Sequence, residues 1–213
     1  HIGGLGVLAR RYGLPLYATE KTKEAILRSR SLGAIDPQLF RIVEPGVDFT
    51  IGELTIHPIS ISHDAADPVA YRITRGDKSV AVITDLGTYT QGIVDQLQGL
   101  DAILLEANHD VNMLQMGSYP YPLKQRILGD YGHLRNEDAA RFAVSLAEAG
   151  ASEIILAHLS QENNSPAMAY NAVERALCAA GYAPCESGLH LSVAPRDRMS
   201  CTYPVLRRNI CRK

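Results

Sequence analysis

The sequence predicts an α/β protein in which helices pack against the faces of a mixed β-sheet. Short apolar segments of strand length alternate with helical segments along the 213 residues. Early strands are joined by tight turns, whereas later strands are separated by helices. Hairpins produce antiparallel neighbours and strand–helix–strand units produce parallel ones, so we expect a layered structure built on a mixed sheet.

The first half of the chain predicts two helices, a short strand and a set of hairpin-linked strands. Gly13 and Gly33 follow the two helical segments, and glycine commonly ends a helix. Apolar residues at period two over 48–62 indicate strand structure, and Gly76-Asp77 reads as a hairpin turn. The predicted segments are helices 5–12 and 21–32 and strands 16–18, 69–74 and 79–84.

The second half predicts buried strands that alternate with two longer helices. The strands are expected at 101–105, 153–157 and 189–193, where the runs are short and apolar. Asn136 is predicted to cap a helix that ends at Gly150. Ser165 followed by Pro166 favours a second helix start, because proline suits the first helical position, and this helix is predicted to run to Gly181.

The composition is that of an ordinary globular domain. Hydrophobic residues make up 46% of the chain, and a formal net charge of -2 argues against a strongly basic nucleic-acid module. No apolar run is long enough for a transmembrane helix. The four cysteines form no Cys-x-x-Cys pair, so reduced thiols and a cytoplasmic location are expected. We predict one domain over residues 1–196 and a basic tail over 197–213.

Three possible metal ligands share one setting in the sequence. His63, Asp85 and His158 each come directly after an apolar strand segment, where loops carry function on a rigid scaffold. Imidazole and carboxylate together are ligands of zinc, manganese or iron rather than of calcium. A single histidine there is more often an ordinary polar residue, and an aspartate is often a turn or helix cap. Spacing alone therefore leaves a metal site and structural roles both open.

Six short motifs occur in order along the chain. They are HIGG at 1–4, SHDAADP at 62–68, TDLG at 84–87, EANHD at 106–110, YGHLRNEDAA at 131–140 and AHLS at 157–160. The first is similar to the end of the His-x-His-x-Asp-His-Ile-Gly-Gly signature of the metallo-β-lactamase superfamily. The whole series resembles the YycJ (WalJ)-like branch of that superfamily.

The resemblance implies a four-layer αββα sandwich and a centre for two divalent metal ions, zinc or manganese. It implies that His63 binds the first metal, that His1 and His158 bind the second, and that Asp85 bridges both. Asp85 and His158 are the expected catalytic residues. The first two histidines and the aspartate of the signature would lie before His1. The chain as given is therefore expected to miss part of its N-terminal half and to be impaired.

The resemblance also implies an activity. The expected enzyme is a metal-dependent hydrolase of phosphodiesters, a 5′-to-3′ DNA exonuclease in the intact parent, with nucleic acid as its substrate and no protein partner indicated. His109 and His133 are candidate substrate-binding residues, with a solvated loop and a helix-capping region as their structural alternatives. Two other functions stay open: a small-molecule thioester or lactone hydrolase of the same fold, and a non-catalytic scaffold that has lost its metal ligands.

Overall fold

A computed structural model describes residues 2–184 and 186–200 of the chain. The strands are β1 Leu16–Ala18, β2 Phe40–Ile42, β3 Phe49–Ile51, β4 Leu54–Ser60, β5 Val69–Arg75, β6 Lys78–Ile83, β7 Ala102–Glu106, β8 Glu153–Ala157 and β9 His190–Val193. The helices are α1 Leu5–Tyr12, α2 Glu20–Arg28, α3 Gln91–Gln96, α4 Val111–Met116, α5 Tyr121–Leu128, α6 Asn136–Glu148 and α7 Pro166–Ala179. Single 3₁₀ turns lie at Arg30–Leu32 and Pro37–Leu39.

The main sheet has seven strands, in the order β3-β4-β5-β6-β7-β8-β9. Pairing is antiparallel from β3 to β6 and parallel from β6 to β9. Two successive antiparallel pairings give β4 the same direction as β6, so the carboxyl ends of β4, β6, β7 and β8 lie at one edge of the sheet. The predicted α/β architecture with a mixed sheet is confirmed.

The principal core lies between the sheet and the pair of helices α6 and α7. Phe142 and Leu146 on α6 are fully buried, as are Ile103 and Ile154 on the central strands. The ring of Tyr89 stacks on that of Phe142 with centroids 4.2 Å apart. Apolar side chains three or four residues apart on α6 form the stripe that a helix needs to cover a sheet face.

The opposite face of the sheet is only partly covered by the described residues. Successive side chains of a strand point to opposite faces, and on β6 Ile83 is fully buried whereas its neighbour Val82 is 40% exposed. The parallel pair β1-β2 forms a smaller cluster with α1 and α2. The buried members of this cluster are Ala9, Ala18, Ile26, Leu32, Ile35 and Phe40.

The structure changes three of the predicted elements. The helix expected over 21–32 is interrupted at Ser29, whose backbone is extended. The period-two segment 48–62 is a hairpin of β3 and β4 around Gly52, which has a φ of 58°. Asn136 is the first residue of α6 rather than its cap, because its side-chain amide pairs with the amide of Asn164. Helices α3, α4 and α5 and strand β2 were not predicted.

Two expectations about the whole chain reach different outcomes. No helix within the described ranges is long and apolar enough to cross a membrane. The domain boundary expected after residue 196 stays a prediction, because residues 201–213 lie outside the described part of the chain.

One face of the sheet is packed and the other is partly exposed, so shortening a side chain should lower the free energy of unfolding more on the packed face. Ile83→Ala should lower the free energy of unfolding by about 3 kcal/mol, because it opens a cavity in the packed face. Val82→Ala should cost less than about 1 kcal/mol, because its side chain is already partly in water. Urea unfolding of both variants measures the difference. Equal losses would contradict the exposure of Val82.

Candidate metal centre

Four side chains converge at the edge where the strands end. The Asp85 Oδ1 atom lies 3.7 Å from Nε2 of His63 and 3.6 Å from Nε2 of His158. It also lies 3.8 Å from Nδ1 of His133. These separations are too long for hydrogen bonds, and two ligands of one tetrahedral ion with bonds of 2.0–2.2 Å lie about 3.4 Å apart. The structure thus brings together His63, Asp85 and His158, and it adds His133 to them.

The backbone turns sharply where two of these residues leave their strands. Asp85 comes two residues after β6, and His158 comes directly after β8. They are the non-glycine residues with positive φ within the described ranges, at 58° and 57°. This left-handed conformation is unfavourable for a residue with a Cβ and tends to occur at functional sites.

Glu106 is the buried carboxylate beneath this cluster. Its Oε1 atom lies 2.7 Å from Nδ1 of His133 and 3.1 Å from Nδ1 of His158, and its Oε2 accepts the Leu86 backbone N–H at 2.7 Å. Burial opposes ionisation of this carboxyl, but the hydrogen bonds from the two histidines outweigh it and hold the pKa of Glu106 below its usual value. We expect it to be ionised at neutral pH.

Glu106 was not among the predicted site residues, although its position in the sequence carries a signal. It is the last residue of β7, which lies between β6 and β8 in the sheet. Both neighbouring strands lead directly into predicted ligands. A carboxylate at the end of the strand between them could have been assigned to the site by the same strand-end argument.

The hydrogen bonds of the histidines decide which ring nitrogen faces the centre. An ionised carboxylate and a carbonyl oxygen only accept hydrogen bonds, so the nitrogen beside them carries the proton. His158 therefore has its proton on Nδ1, toward Glu106, and this bond raises the pKa of His158 although burial lowers it. Nδ1 of His63 donates to the Gly132 carbonyl at 3.0 Å. Both rings turn Nε2 toward Asp85, as metal-binding imidazoles held by outer partners do.

Close backbone contacts hold the loop that carries His133. A Cβ on Gly87 would collide with the Asp130 carbonyl, and a Cβ on Gly132 would collide with the Ile127 carbonyl. The Ser62 hydroxyl donates to the Asp130 carbonyl at 2.6 Å. Glycine at 87 therefore allows the turn before His133 to pack directly on the turn after β6, and glycine at 132 allows that same turn to close on the end of α5.

Two predicted site residues stand apart from this cluster. His109 is 1% exposed, and its ring has no hydrogen-bond partner within the described residues. Burial lowers its pKa to about 4, so the ring is neutral. It lines a cavity of about 130 Å³ beside His133, and its predicted contact with substrate stays a prediction. His1, the predicted ligand of the second metal, lies outside the described residues.

A mixed sheet with a histidine and carboxylate cluster at its strand ends is the arrangement expected of a metallo-β-lactamase-type protein. A model of the beta-lactamase superfamily domain matches residues 1–159. The metallo-β-lactamase-fold protein YhfI from Bacillus subtilis superposes with a TM-score of 0.61, at 20% identity over 91% of this chain and 68% of its own. The chain therefore belongs to the metallo-β-lactamase superfamily.

Similarity to individual proteins indicates the branch of the superfamily to which the chain is related. The chain is 44% identical over 170 residues to the exodeoxyribonuclease WalJ of Streptococcus pneumoniae, an alignment that covers 80% of this chain and 63% of that protein. It is 40% identical over 182 residues to the exodeoxyribonuclease YycJ of Bacillus anthracis, covering 85% and 68%. The predicted resemblance to the YycJ (WalJ)-like branch is confirmed. The chain spans just under two thirds of the pneumococcal relative.

Because the backbone at Asp85 is left-handed, a glycine variant at this position should be more stable than an alanine variant. Asp85→Gly and Asp85→Ala both remove the carboxylate, but only glycine adopts this φ without a Cβ penalty. Asp85→Gly should therefore be more stable than Asp85→Ala by about 1 kcal/mol in urea unfolding. Glu174, in the middle of α7, is the control position: there Glu174→Gly should be less stable than Glu174→Ala, because glycine is unfavourable inside a helix. The same order at both positions would contradict strain at Asp85.

The buried neutral His109 predicts a loss of stability in acid. Its pKa is about 4 in the folded chain against an ordinary value of 6.5. Between these values only the unfolded chain takes up the proton, so stability present above pH 6.5 falls as the pH drops to 4, by about 3 kcal/mol. His109→Phe should remove this part of the pH dependence, measured by urea unfolding in EDTA. His190→Phe, at an exposed histidine, should keep it, and an unchanged pH profile in His109→Phe would contradict the assignment.

Proposed function

We propose that the whole protein is a dinuclear metal-dependent phosphodiesterase that degrades DNA from the 5′ end. The observation that carries the proposal is that Nε2 of His63 and Nε2 of His158 lie 3.7 and 3.6 Å from Oδ1 of Asp85, while Nδ1 of each histidine is held by an acceptor. Imidazole and carboxylate donors at this spacing fit a divalent transition metal.

The donor set suggests how two ions would be shared. His63 and Asp85 would bind the first, Asp85 and His158 would bind the second, and His1 is proposed as a further ligand of the second. When bound, zinc or manganese ions supply a hydroxide at neutral pH and neutralise charge on the phosphoryl oxygens. Glu106 holds the rings of His158 and His133 in place through their Nδ1 atoms. His133 lies within the same cluster, and we propose that it contacts the scissile phosphate.

The choice of DNA rests on the relatives. Both proteins described above carry the name exodeoxyribonuclease and share 40–44% identity with this chain. A DNA substrate and the free thiol of Cys178 also agree with a proposed cytoplasmic location. The same metal chemistry could act on a thioester or a lactone, so the substrate has to be tested directly.

Removing the bridging carboxylate tests the proposed centre. Asp85→Asn in the whole protein should hold less metal after dialysis and show no turnover of 5′-phosphorylated DNA or bis-p-nitrophenyl phosphate above background. The fold should persist, because Asp85 lies at the edge of the sheet rather than in its core. Asp77→Asn, at the β5–β6 turn, is the matched control and should behave as wild type.

Three outcomes would contradict the proposal. Wild-type turnover in a well-folded Asp85→Asn protein would exclude the bridging role. Turnover of thioesters or lactones without phosphodiesters would favour a small-molecule hydrolase of the same fold. A whole protein that binds no metal and hydrolyses none of these substrates would favour a scaffold.

A further inference from the structure

A wide groove opens beside the metal centre, on the side of His158. It has a volume of about 890 Å³ and lies between the end of β8, the first residues of α7 and the segment 194–198. His158 is part of its wall, so a molecule in the groove is continuous with the centre. Two arginines, Arg196 and Arg198, line it, together with one acidic residue, Asp197.

Arg196 is held close to the centre. Its Nη2 donates to the Leu159 carbonyl at 2.6 Å, and Leu159 directly follows the predicted ligand His158. The side chain is otherwise exposed. A guanidinium has five N–H donors in a planar fork, so one bond to a carbonyl leaves others available for a phosphate.

Arg196 differs in its pairing from two other arginines near the site, Arg126 and Arg135, which form ion pairs with carboxylates. Arg126 forms a two-pronged ion pair with Asp64, and Arg135 pairs with Asp138 at 2.5 Å. In the part of the chain that the structure describes, no carboxylate lies within salt-bridge distance of Arg196. A cation held beside the proposed centre, in a groove lined by two arginines and one aspartate, favours an anionic ligand.

A second groove lies beside residues 60–62, which lead into His63, and its lining differs in charge. It is about 610 Å³ in volume and includes Ser62, Thr88, Thr90 and Tyr131 but no charged side chain. Phosphates carry the charge of a nucleic-acid strand, whereas bases are neutral and stack on aromatic rings. The difference between the two grooves indicates which of them takes the sugar–phosphate backbone.

We propose that the groove beside His158 binds a phosphate of the DNA strand next to the scissile one, with Arg196 as the principal contact and Arg198 as a second. The inference rests on the proposed function and adds to it the place where the substrate lies. The phosphate is either an internal phosphodiester or the 5′-terminal phosphate, which have the same recognition chemistry.

Kinetics of Arg196→Gln in the metal-loaded whole protein test the inference. KM for single-stranded DNA should rise about tenfold, because a hydrogen bond to a charged group is lost, while kcat stays within about twofold. The slope of log(kcat/KM) against log salt should become shallower by about 0.7, as expected for one phosphate contact on a single strand. Turnover of bis-p-nitrophenyl phosphate should not change, because this substrate has no neighbouring phosphate to reach the groove.

Two control variants separate charge from structure. Arg196→Lys keeps the positive charge and should retain most of the salt slope. Arg175→Gln removes an exposed arginine of α7 that likewise bonds a backbone carbonyl, that of Asn171, and it should match wild type. Assays with 5′-phosphate and 5′-hydroxyl DNA identify the source of the phosphate. An equal rise in KM for both indicates an internal phosphate, and a rise confined to the phosphorylated strand indicates the terminal one.

These measurements distinguish failure of the groove assignment from failure of the proposed function. If wild type degrades DNA and Arg196→Gln has the same KM and salt slope, the groove assignment is wrong while the proposed function stands. If Arg196→Gln also loses turnover of bis-p-nitrophenyl phosphate, Arg196 supports the metal centre itself and the groove assignment is again wrong. If wild type hydrolyses no phosphodiester, both proposals fall.

Discussion

The buried carboxylate of Glu106 is the interaction on which the rest of the site depends. It is fully buried, it accepts hydrogen bonds from His133, His158 and the Leu86 backbone, and it thereby ties three separate segments to the end of one strand. A buried charge is tolerated only when such partners satisfy it. The same bonds fix which nitrogen of His158 carries a proton. Glu106 therefore sets both the position and the donor atom of a proposed ligand.

Around this carboxylate the backbone departs from its most favourable forms. Asp85 and His158 both have left-handed φ values. The turn after Asp85 meets the turn before His133 at Gly87, and the turn before His133 closes on the end of α5 at Gly132. Each of these features limits what the sequence can be, and the strain at the two positive-φ residues also costs stability. The packed layer of α6 and α7 against the sheet supplies the stability that allows this edge to be strained. Rigid turns on a rigid sheet keep the donor atoms in place before any ligand arrives.

Much of the fold follows from local patterns in the sequence. Apolar periodicity and turn residues located α1, α7 and most of the strands, because these elements are specified by residues adjacent in the chain. The strand-end positions of His63, Asp85 and His158 were visible for the same reason. The resemblance to the YycJ (WalJ)-like branch rests on ordered motifs and needs no coordinates. Short elements such as α3 and α4 were not predicted, because six residues show too little periodicity to be distinguished from a loop.

Only the tertiary structure decided which side chains meet. Glu106 and His158 are 52 residues apart, and Glu106 and His133 are 27 apart, so no local pattern joins them. The pairing of β6, β7 and β8 in parallel brings their ends to one edge and makes Glu106 part of the site. Asn136 reads as a helix cap locally, yet its amide pairs with Asn164 instead. The position of Arg196 against Leu159 likewise depends on where the chain runs after β9, because long-range packing rather than residue type determines which charges are neutralised.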